Sequence, residues 1–455
     1  MKYAIEIVKN VNLYGKNTLS PDKYYFSISD INSQYNPSIK SSIFQKLGTF
    51  SNKLIQPMYE DFIVMALSVF ALDKRFARRK AYDAWTREFN INIPVLCYEK
   101  WNAVKEKIER MLSFLSGDIW AVEFSATTTR INYMLSPRTI AKPYSQVSLF
   151  SGGLDSFCGA IKMLEDGNTP LFVGNEEYPK LEGRQQELVA KLRGCYSSNN
   201  FGLQTFTAKA LAARLNNSDY SESENTSRTR SLLFLAAGLC FAGLMSEDMP
   251  VLIPENGFIG LNLPLTPSRM GSCSTRTTHP WFLRELNAIL QAVGINNPVV
   301  NPYKFMSKTD VVHSVEDTKA FRDCYNRTIS CSHPANPRWS GNEYPKNCGY
   351  CYPCLIRRSS LSHLGVPIND YVYDINNSTD IGKIRGTEKQ NDLFAMLTAA
   401  VNFKNKGLGY IVKQIANSGL LLDDEIDPFT DLYSATIADF IGIITNEELR
   451  NFAGL

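Results

Sequence analysis

Four cysteines crowd into one stretch of the chain as Cys331-x16-Cys348-x2-Cys351-x2-Cys354. Thiolates at this spacing suit tetrahedral Zn2+: the tight CGYCYPC turn can carry three sulfurs to one ion, and Cys331 closes the shell from across a loop. Four thiolates leave no open coordination position, so the expected role is structural, holding the excursion 334–347 in place and contributing folding energy. An iron–sulfur cluster shares the spacing, and a chance grouping of buried thiols is the reading without metal. His333 stands beside the set as a spare ligand or bystander. Arg357 and Arg358 follow directly, and Arg357 is a candidate anion ligand, with a plain surface charge as the alternative.

A second chemical signal is Ser151-Gly152-Gly153-Leu154-Asp155-Ser156, which follows the apolar QVSLF and precedes the helical pattern FCGAIKMLEDG. Glycines let consecutive backbone N–H groups turn toward an anion, serines add hydroxyl donors, and the following helix presents its positive end. The loop has no lysine and is not a Walker A sequence. A carboxylate beside bound pyrophosphate is tolerated if it accepts backbone N–H groups or holds Mg2+, which is the expectation for Asp155. Asp155 or Ser156 could instead be an ordinary helix N-cap.

The elements that must position these residues alternate. QVSLF, PLFVGN, QTFTA and PVLIPEN read as strands, separated by helical patterns over FCGAIKMLEDG, GRQQELVAKLRG and residues 228–244. Such alternation predicts an open parallel sheet with helices on both faces, whose ligands bind beyond the carboxyl ends of the strands. Both SGGLDS and the turn at Glu255-Asn256-Gly257 fall at such ends. Before this unit, residues 1–145 mix strands (YAIEIV, YYFSISD, INIPVL, DIWAVEFSA) with helices over 59–79 and VKEKIERMLSFL. Residues 146–365 form the predicted nucleotide-binding domain with its cysteine knuckle, and 366–455 read as a helical extension.

The whole chain has 455 residues and is 44% hydrophobic and 20% charged, a globular composition. Lys plus Arg 48 against Asp plus Glu 45 leaves +3, which does not suit a strongly basic nucleic-acid binder and makes tRNA an unexpected partner. No stretch is long and apolar enough to span a bilayer and no secretory signal is legible at the start, so a cytoplasmic enzyme without a membrane partner is expected.

Together the SGGLDS loop and the Cys-x16-CGYCYPC-x2-Arg knuckle resemble the 7-cyano-7-deazaguanine synthase family of ATP-pyrophosphatases, over roughly residues 146–364. Further stretches line up in order: GRQQEL at 183–188, RTRSLLFLAAG at 228–238, PENGF at 254–258 and KFMSKTDVV at 304–312. The resemblance implies an adenine nucleotide alpha hydrolase-like fold and an enzyme, an ATP-dependent carbon–nitrogen ligase. Ser151, Gly152, Gly153, Leu154, Asp155, Ser156 and Arg228 would bind ATP with Mg2+. Asp155, Ser156, Arg184 and Lys308 would serve the chemistry, with Arg230 a further candidate cation. Glu255, Asn256, Arg276, His279 and Arg357 would face the substrate, a 7-carboxy-7-deazaguanine-like carboxylate. Two departures stand out: the family's histidine after Gln-Arg is replaced here by Gln185 and Gln186, and its Tyr-Pro-Asp-Cys-Arg segment by PLTPSRMGSCSTRTTHPWF at 264–282.

Those departures, with the long N-terminal segment, resemble the synthase-like proteins of bacterial anti-phage operons, the Qat type among them. That branch implies that the activated deazaguanine is joined to an amine of a protein encoded in the same operon. The other readings are a housekeeping synthase releasing the free nitrile, a tRNA-modifying or thiolating pyrophosphatase using one of Cys158, Cys195, Cys240, Cys273 or Cys324, and a non-catalytic nucleotide-sensing scaffold.

Overall fold

In KYAIEIVK and EFNINIPV the apolar residues alternate, so that Tyr3, Ile5 and Ile7 share one buried face with Phe89, Ile91 and Ile93. This period-two pattern makes strands with one face on a core. The computed structural model describes the chain apart from residues 1, 14–18, 138–143, 177–179, 221, 225–227, 264, 266–275, 337, 339–343, 369–370 and 455. The first third comprises β1 (Lys2–Lys9), β2 (Tyr24–Ile28), β3 (Ile39–Ser41), α1 (Ile43–Phe50), α2 (Pro57–Arg75), β4 (Glu88–Val95), α3 (Tyr98–Ala103), α4 (Lys105–Ser116) and β5 (Ile119–Ala126). Strands β2, β1, β4 and β5 pair in parallel in that spatial order.

The central third holds β6 (Gln146–Leu149), α5 (Leu154–Glu165), β7 (Pro170–Asn175), α6 (Leu181–Cys195), β8 (Gly202–Phe206), β9 (Ala208–Ala210), β10 (Ala213–Leu215), β11 (Ser218–Tyr220), α7 (Arg230–Met245) and β12 (Val251–Leu252). It continues through α8 (Gly257–Leu261), α9 (Pro280–Val293), β13 (Val299–Val300), α10 (Lys308–His313), α11 (Lys319–Cys324) and α12 (Tyr352–His363). Strands β13, β12, β6, β7 and β8 make a five-stranded, all-parallel sheet in that order. Val147, Leu171 and Val173 pack on the side of α7 and α9, while Phe172 packs on the side of α5 and α6, so both faces are covered. The chain is therefore α/β: a mixed sheet, a parallel sheet flanked by helices, and a helical C-terminal part.

Two features differ from the strand pattern in the sequence. PVLIPEN, expected as a strand of its full length, contributes only Val251 and Leu252. Pro250 and Pro254 flank this pair, and proline has no N–H to give a ladder. More consequentially, β9, β10 and β11, which follow β8 in the central segment, join the N-terminal sheet: β9 pairs β3, and β10 pairs β2. One hydrophobic cluster accordingly runs from Tyr3 and Phe62 through Val147 to Leu235 and Leu286, with α2 packed along α7. The N-terminal segment and the parallel sheet share this core.

The C-terminal part comprises α13 (Ser378–Ile384), α14 (Gln390–Ala416), α15 (Asp423–Gly442) and α16 (Glu447–Ala453). Gly407, at φ +69°, interrupts the helical path of α14. Helix α15 packs against α12 and α8, burying Phe429, Leu432 and Tyr433 with Phe258 and Leu355. Among the described residues no helix is long and apolar enough to cross a membrane.

Candidate nucleotide site and metal centre

Strand order decides where the loop can act. From β6 the chain moves outward through β7 to β8, then returns along α7 to place β12 on the other side of β6. The reversal opens a crevice at the carboxyl ends of β6 and β12, where parallel sheets bind ligands. SGGLDS follows β6 and Glu255–Asn256 follow β12, so residues 101 apart in sequence become neighbours.

Within the loop, Gly152 takes φ +79°, a backbone shape that disfavours any side chain, and its carbonyl accepts the N–H of Ile329 at 3.0 Å. Gly153 is the N-cap of α5, with no side-chain cap; Asp155 and Ser156 lie inside the first turn and do not cap the helix. The Gly153 N–H donates to Ser151 Oγ at 3.2 Å and the Leu154 N–H to Ser330 Oγ at 2.9 Å. Ser156 Oγ donates to the Gly153 carbonyl at 3.0 Å. Two hydroxyls thus hold the amides that an anion at this helix end would take over.

Asp155 gathers the crevice. Lys308 Nζ donates to its Oδ1 at 2.7 Å, and Asn256 Nδ2 donates to its Oδ2 at 2.7 Å. Lys308 opens α10, whose start is fixed by a reciprocal capping box between Ser307 and Asp310. Asn256 does double duty, its Oδ1 accepting the N–H of Ile259 at 3.1 Å to cap α8. The next residue must be glycine, because a Cβ on Gly257 would lie 2.1 Å from the Lys304 carbonyl oxygen. Glu255 completes the group. Burial, together with the charge of Asp155, pushes its carboxyl up to about 8, so it carries a proton at neutral pH. The arrangement holds an ammonium, a carboxylate and a carboxylic acid around a helix N-terminus.

The four cysteines converge as their spacing predicts. Their sulfurs all lie within 4.8 Å of one another, with Cys348 to Cys354 and Cys351 to Cys331 each at 3.9 Å. A tetrahedron with metal–sulfur bonds of about 2.3 Å has sulfurs about 3.8 Å apart. Backbone N–H groups of His333 and Cys348 point at Cys331 Sγ, that of Cys351 at Cys348 Sγ and that of Ser332 at Cys351 Sγ, at 3.3–3.5 Å. Such donors favour thiolates over thiols. The site is positioned to bind a metal ion and is compatible with zinc. His333 stacks on Tyr350 and stays outside the set.

This centre braces the loop directly. Ser330, which receives the Leu154 N–H, immediately precedes Cys331. Its own N–H donates to Asn347 Oδ1 at 3.0 Å, and Asn347 Nδ2 donates to the Thr328 carbonyl at 3.2 Å. Arg357 clamps the same turn, donating to Thr328 Oγ1 at 2.5 Å and the Tyr325 carbonyl at 2.8 Å. Ser330 and Asn347 had no motif of their own, but each adjoins a metal-ligand cysteine, which is the signal that could have found them.

The remaining expected residues go elsewhere. Arg184 pairs with Glu187 at 3.0 Å on the surface of α6. Behind the loop it is Gln185 that matters: fully buried, it donates to the Phe150 carbonyl at 3.0 Å, and its Oε1, like Asn175 Oδ1 at the end of β7, is a buried acceptor without a partner among the described residues. Arg228 and Arg276 are turned toward α4, donating to the carbonyls of Ser116 and Phe114. His279 is buried as the N-cap of α9, Nδ1 accepting the Trp281 N–H at 3.2 Å, and no hydrogen bond or ion pair joins these three to Asp155. Cys273 lies outside the described residues. Burial pushes the thiols of Cys158, Cys240 and Cys324 up, the opposite of what a nucleophilic cysteine requires. No protein-family model matches the chain, and no curated protein matches it.

Proposed function

We propose that the chain is an adenylating enzyme of the 7-cyano-7-deazaguanine synthase kind, acting in anti-phage defence, and that it joins an activated deazaguanine carboxylate to an amine. The observation that supports this best is the meeting, at the switch point of a parallel sheet, of a glycine-rich helix N-terminus with the Asp155–Lys308–Asn256 cluster. The loop amides and hydroxyls of Ser151–Ser156 would hold the pyrophosphate of ATP, and Asp155, with Glu255 beside it, offers the oxygens to hold Mg2+, a hard cation that takes carboxylates. Lys308 would balance charge developing on the phosphoryl group.

A substrate carboxylate oxygen attacks the α-phosphorus, the bond to the β-phosphate breaks and pyrophosphate leaves. An amine then attacks the acyl carbon, the bond to AMP breaks and an amide forms. The chain's part is to bind, orient and neutralise. The four-cysteine centre, read as structural zinc, would keep Ser330 against the loop and take no part in the chemistry.

The test is incubation with ATP, Mg2+ and 7-carboxy-7-deazaguanine, with and without the protein encoded next to it, followed by mass spectrometry. AMP and pyrophosphate appearing only with the deazaguanine support adenylation. A deazaguanine-sized mass on the partner identifies conjugation, whereas a free nitrile identifies the housekeeping reaction. ATP bound stoichiometrically with no AMP released would leave a scaffold.

A further inference from the structure

Arg228 sits just before α7, in the seam between the two sheets, and is 6% exposed. Its backbone N–H donates to Asp73 Oδ2 at 2.7 Å, its Nη1 donates to the Ser116 carbonyl at 3.1 Å, and its guanidinium carbon lies 4.3 Å from the centre of the Trp85 ring. Nε and Nη2 are buried and have no hydrogen-bond partner among the described residues. These two groups share one edge of the guanidinium, the fork that receives both oxygens of a carboxylate or phosphate.

The neighbouring acids cannot fill that edge. Asp118 is held by Arg78 and Arg87 on both oxygens, and Asp73 by Arg87 on one oxygen and by Thr229 and the Arg228 backbone on the other. Glu224 receives the backbone N–H of Arg78. Neither Arg228 nor Arg276 forms an ion pair among the described residues. Capping the last carbonyls of α4 accounts for one nitrogen of each arginine and leaves the fork of Arg228 unexplained. Buried donors without acceptors are costly, and burial with the charges of Arg78 and Arg276 nearby brings Arg228 down to about 10.

A second observation points the same way. Arg78, Arg87, Arg228 and Arg276 gather around two buried carboxylates, Asp73 and Asp118, and Asp73 is already taken by Arg87 and by the N–H groups of Arg228 and Thr229 at the start of α7. Trp85 and Arg276 on the rim are only partly buried.

We propose that the Nε–Nη2 edge of Arg228, just before α7 and flanked by Arg276, receives an oxyanion, making a binding site for a carboxylate or phosphoryl group that is separate from the SGGLDS loop. The site joins Trp85 and Ser116 of the N-terminal segment to a helix of the parallel sheet, so its occupancy reports on that seam. It does not depend on the adenylation reading.

Inorganic phosphate and acetate are titrated separately against the full chain, with chloride at matched ionic strength, following tryptophan fluorescence and calorimetry. The wild type is expected to bind at least one of them with a fluorescence change that Trp85→Phe loses. Arg228→Lys keeps the charge but not the fork and is expected to weaken binding at least 10-fold, while Asp155→Asn leaves the Trp85 signal intact. A response to both anions or to acetate alone assigns a carboxylate-sized receptor, and a response to phosphate alone a phosphoryl receptor. If the wild type shows no Trp85-dependent response to either anion, or if Arg228→Lys binds as the wild type does, the site is refuted. Should Arg228→Lys not fold, Arg276→Lys in the same titration, expected to weaken binding at least 3-fold, decides the matter.

Discussion

Asp155 and Asp73 are both buried carboxylates that collect a cationic side chain and neighbouring N–H groups, yet their surroundings carry different balances. Around Asp155 stand one ammonium and a second carboxyl, Glu255, that keeps its proton. Around Asp73 and Asp118 stand Arg78, Arg87 and Arg228, and the arginine pairing holds Asp73 below the usual carboxylate range despite its burial. The first cluster opens at the carboxyl ends of parallel strands, the second is closed within the seam. An acid-rich group at an open crevice suits a ligand that brings a metal cation, and a cation-rich group in a seam suits one that brings an oxyanion. At the crevice Asp155 and Lys308 offset each other and a metal cation would displace the proton on Glu255, whereas in the seam the third arginine is the unmatched charge, and an unmatched buried charge is expensive.

The largest effect should separate the braces of the two regions. The crevice loop leans on the four-cysteine centre, the seam on ion pairs. Stripping metal with a chelator, or Cys348→Ser, is expected to lose one ion per chain by elemental analysis and to deprotect amides around 151–156 in hydrogen exchange, with those around 73–87 left protected. Structural sites of this type carry on the order of 10 kcal/mol of binding free energy. Equal deprotection of both regions would dissolve the contrast.

Next in size is the seam itself. Arg87→Met leaves Asp73 and Asp118 buried with too little positive charge and should lower the unfolding free energy by about 3–5 kcal/mol in denaturant titrations. A loss below about 1 kcal/mol would mean the network is not what joins the sheets. In the crevice the change should fall on turnover as well: Asp155→Asn leaves Lys308 buried without its partner and lowers stability, and it is expected to cut AMP release per folded molecule at least about 100-fold, about 2.7 kcal/mol. If it lowers stability and leaves turnover per folded molecule unchanged, Asp155 is a structural acid like Asp73.

The smallest effect concerns His279, beside the seam. Burial, with the charges of Arg276 and Arg284, pushes its imidazole down to about 3, so it is neutral when folded and takes a proton near 6.5 when unfolded. The unfolded chain therefore binds the extra proton between these values, and stability is lost as pH falls below about 6.5. At pH about 5.5 the loss is about 1.4 kcal/mol. His279→Asn keeps a capping acceptor without titrating, and its stability should fall less over this range when both are unfolded in denaturant at several pH values.

Much of this was legible beforehand. Local chemistry and period carried the metal set, the loop between strand and helix, and the α/β alternation, since Cys331, Cys348, Cys351 and Cys354 or Ser151–Ser156 declare themselves by spacing. The resemblance puts Glu255 and Asn256 at the substrate, Lys308 and Arg184 among the catalytic residues and Arg228 at the ATP; Arg184 sits on the surface of α6 and Arg228 in the seam. Ser330 is marked in the sequence only by its place beside Cys331, and Gln185 only as a departure from the family pattern; their contacts with the Leu154 N–H and the Phe150 carbonyl depend on a backbone that approaches from elsewhere.

What the amino-acid sequence determined by itself were the features whose physics is local: strand and helix periods, a glycine turn, four ligands within one short stretch. Only the tertiary structure decided which of two similar arginines or aspartates met the crevice at the strand ends and which met a neighbouring layer. That choice follows from strand order, with β12 beside β6 and β10 beside β2, and order is set by how distant surfaces pack. A charge has the same letter in either place. Its partners, its burial and the role that follows from them exist only once the sheets have closed on each other.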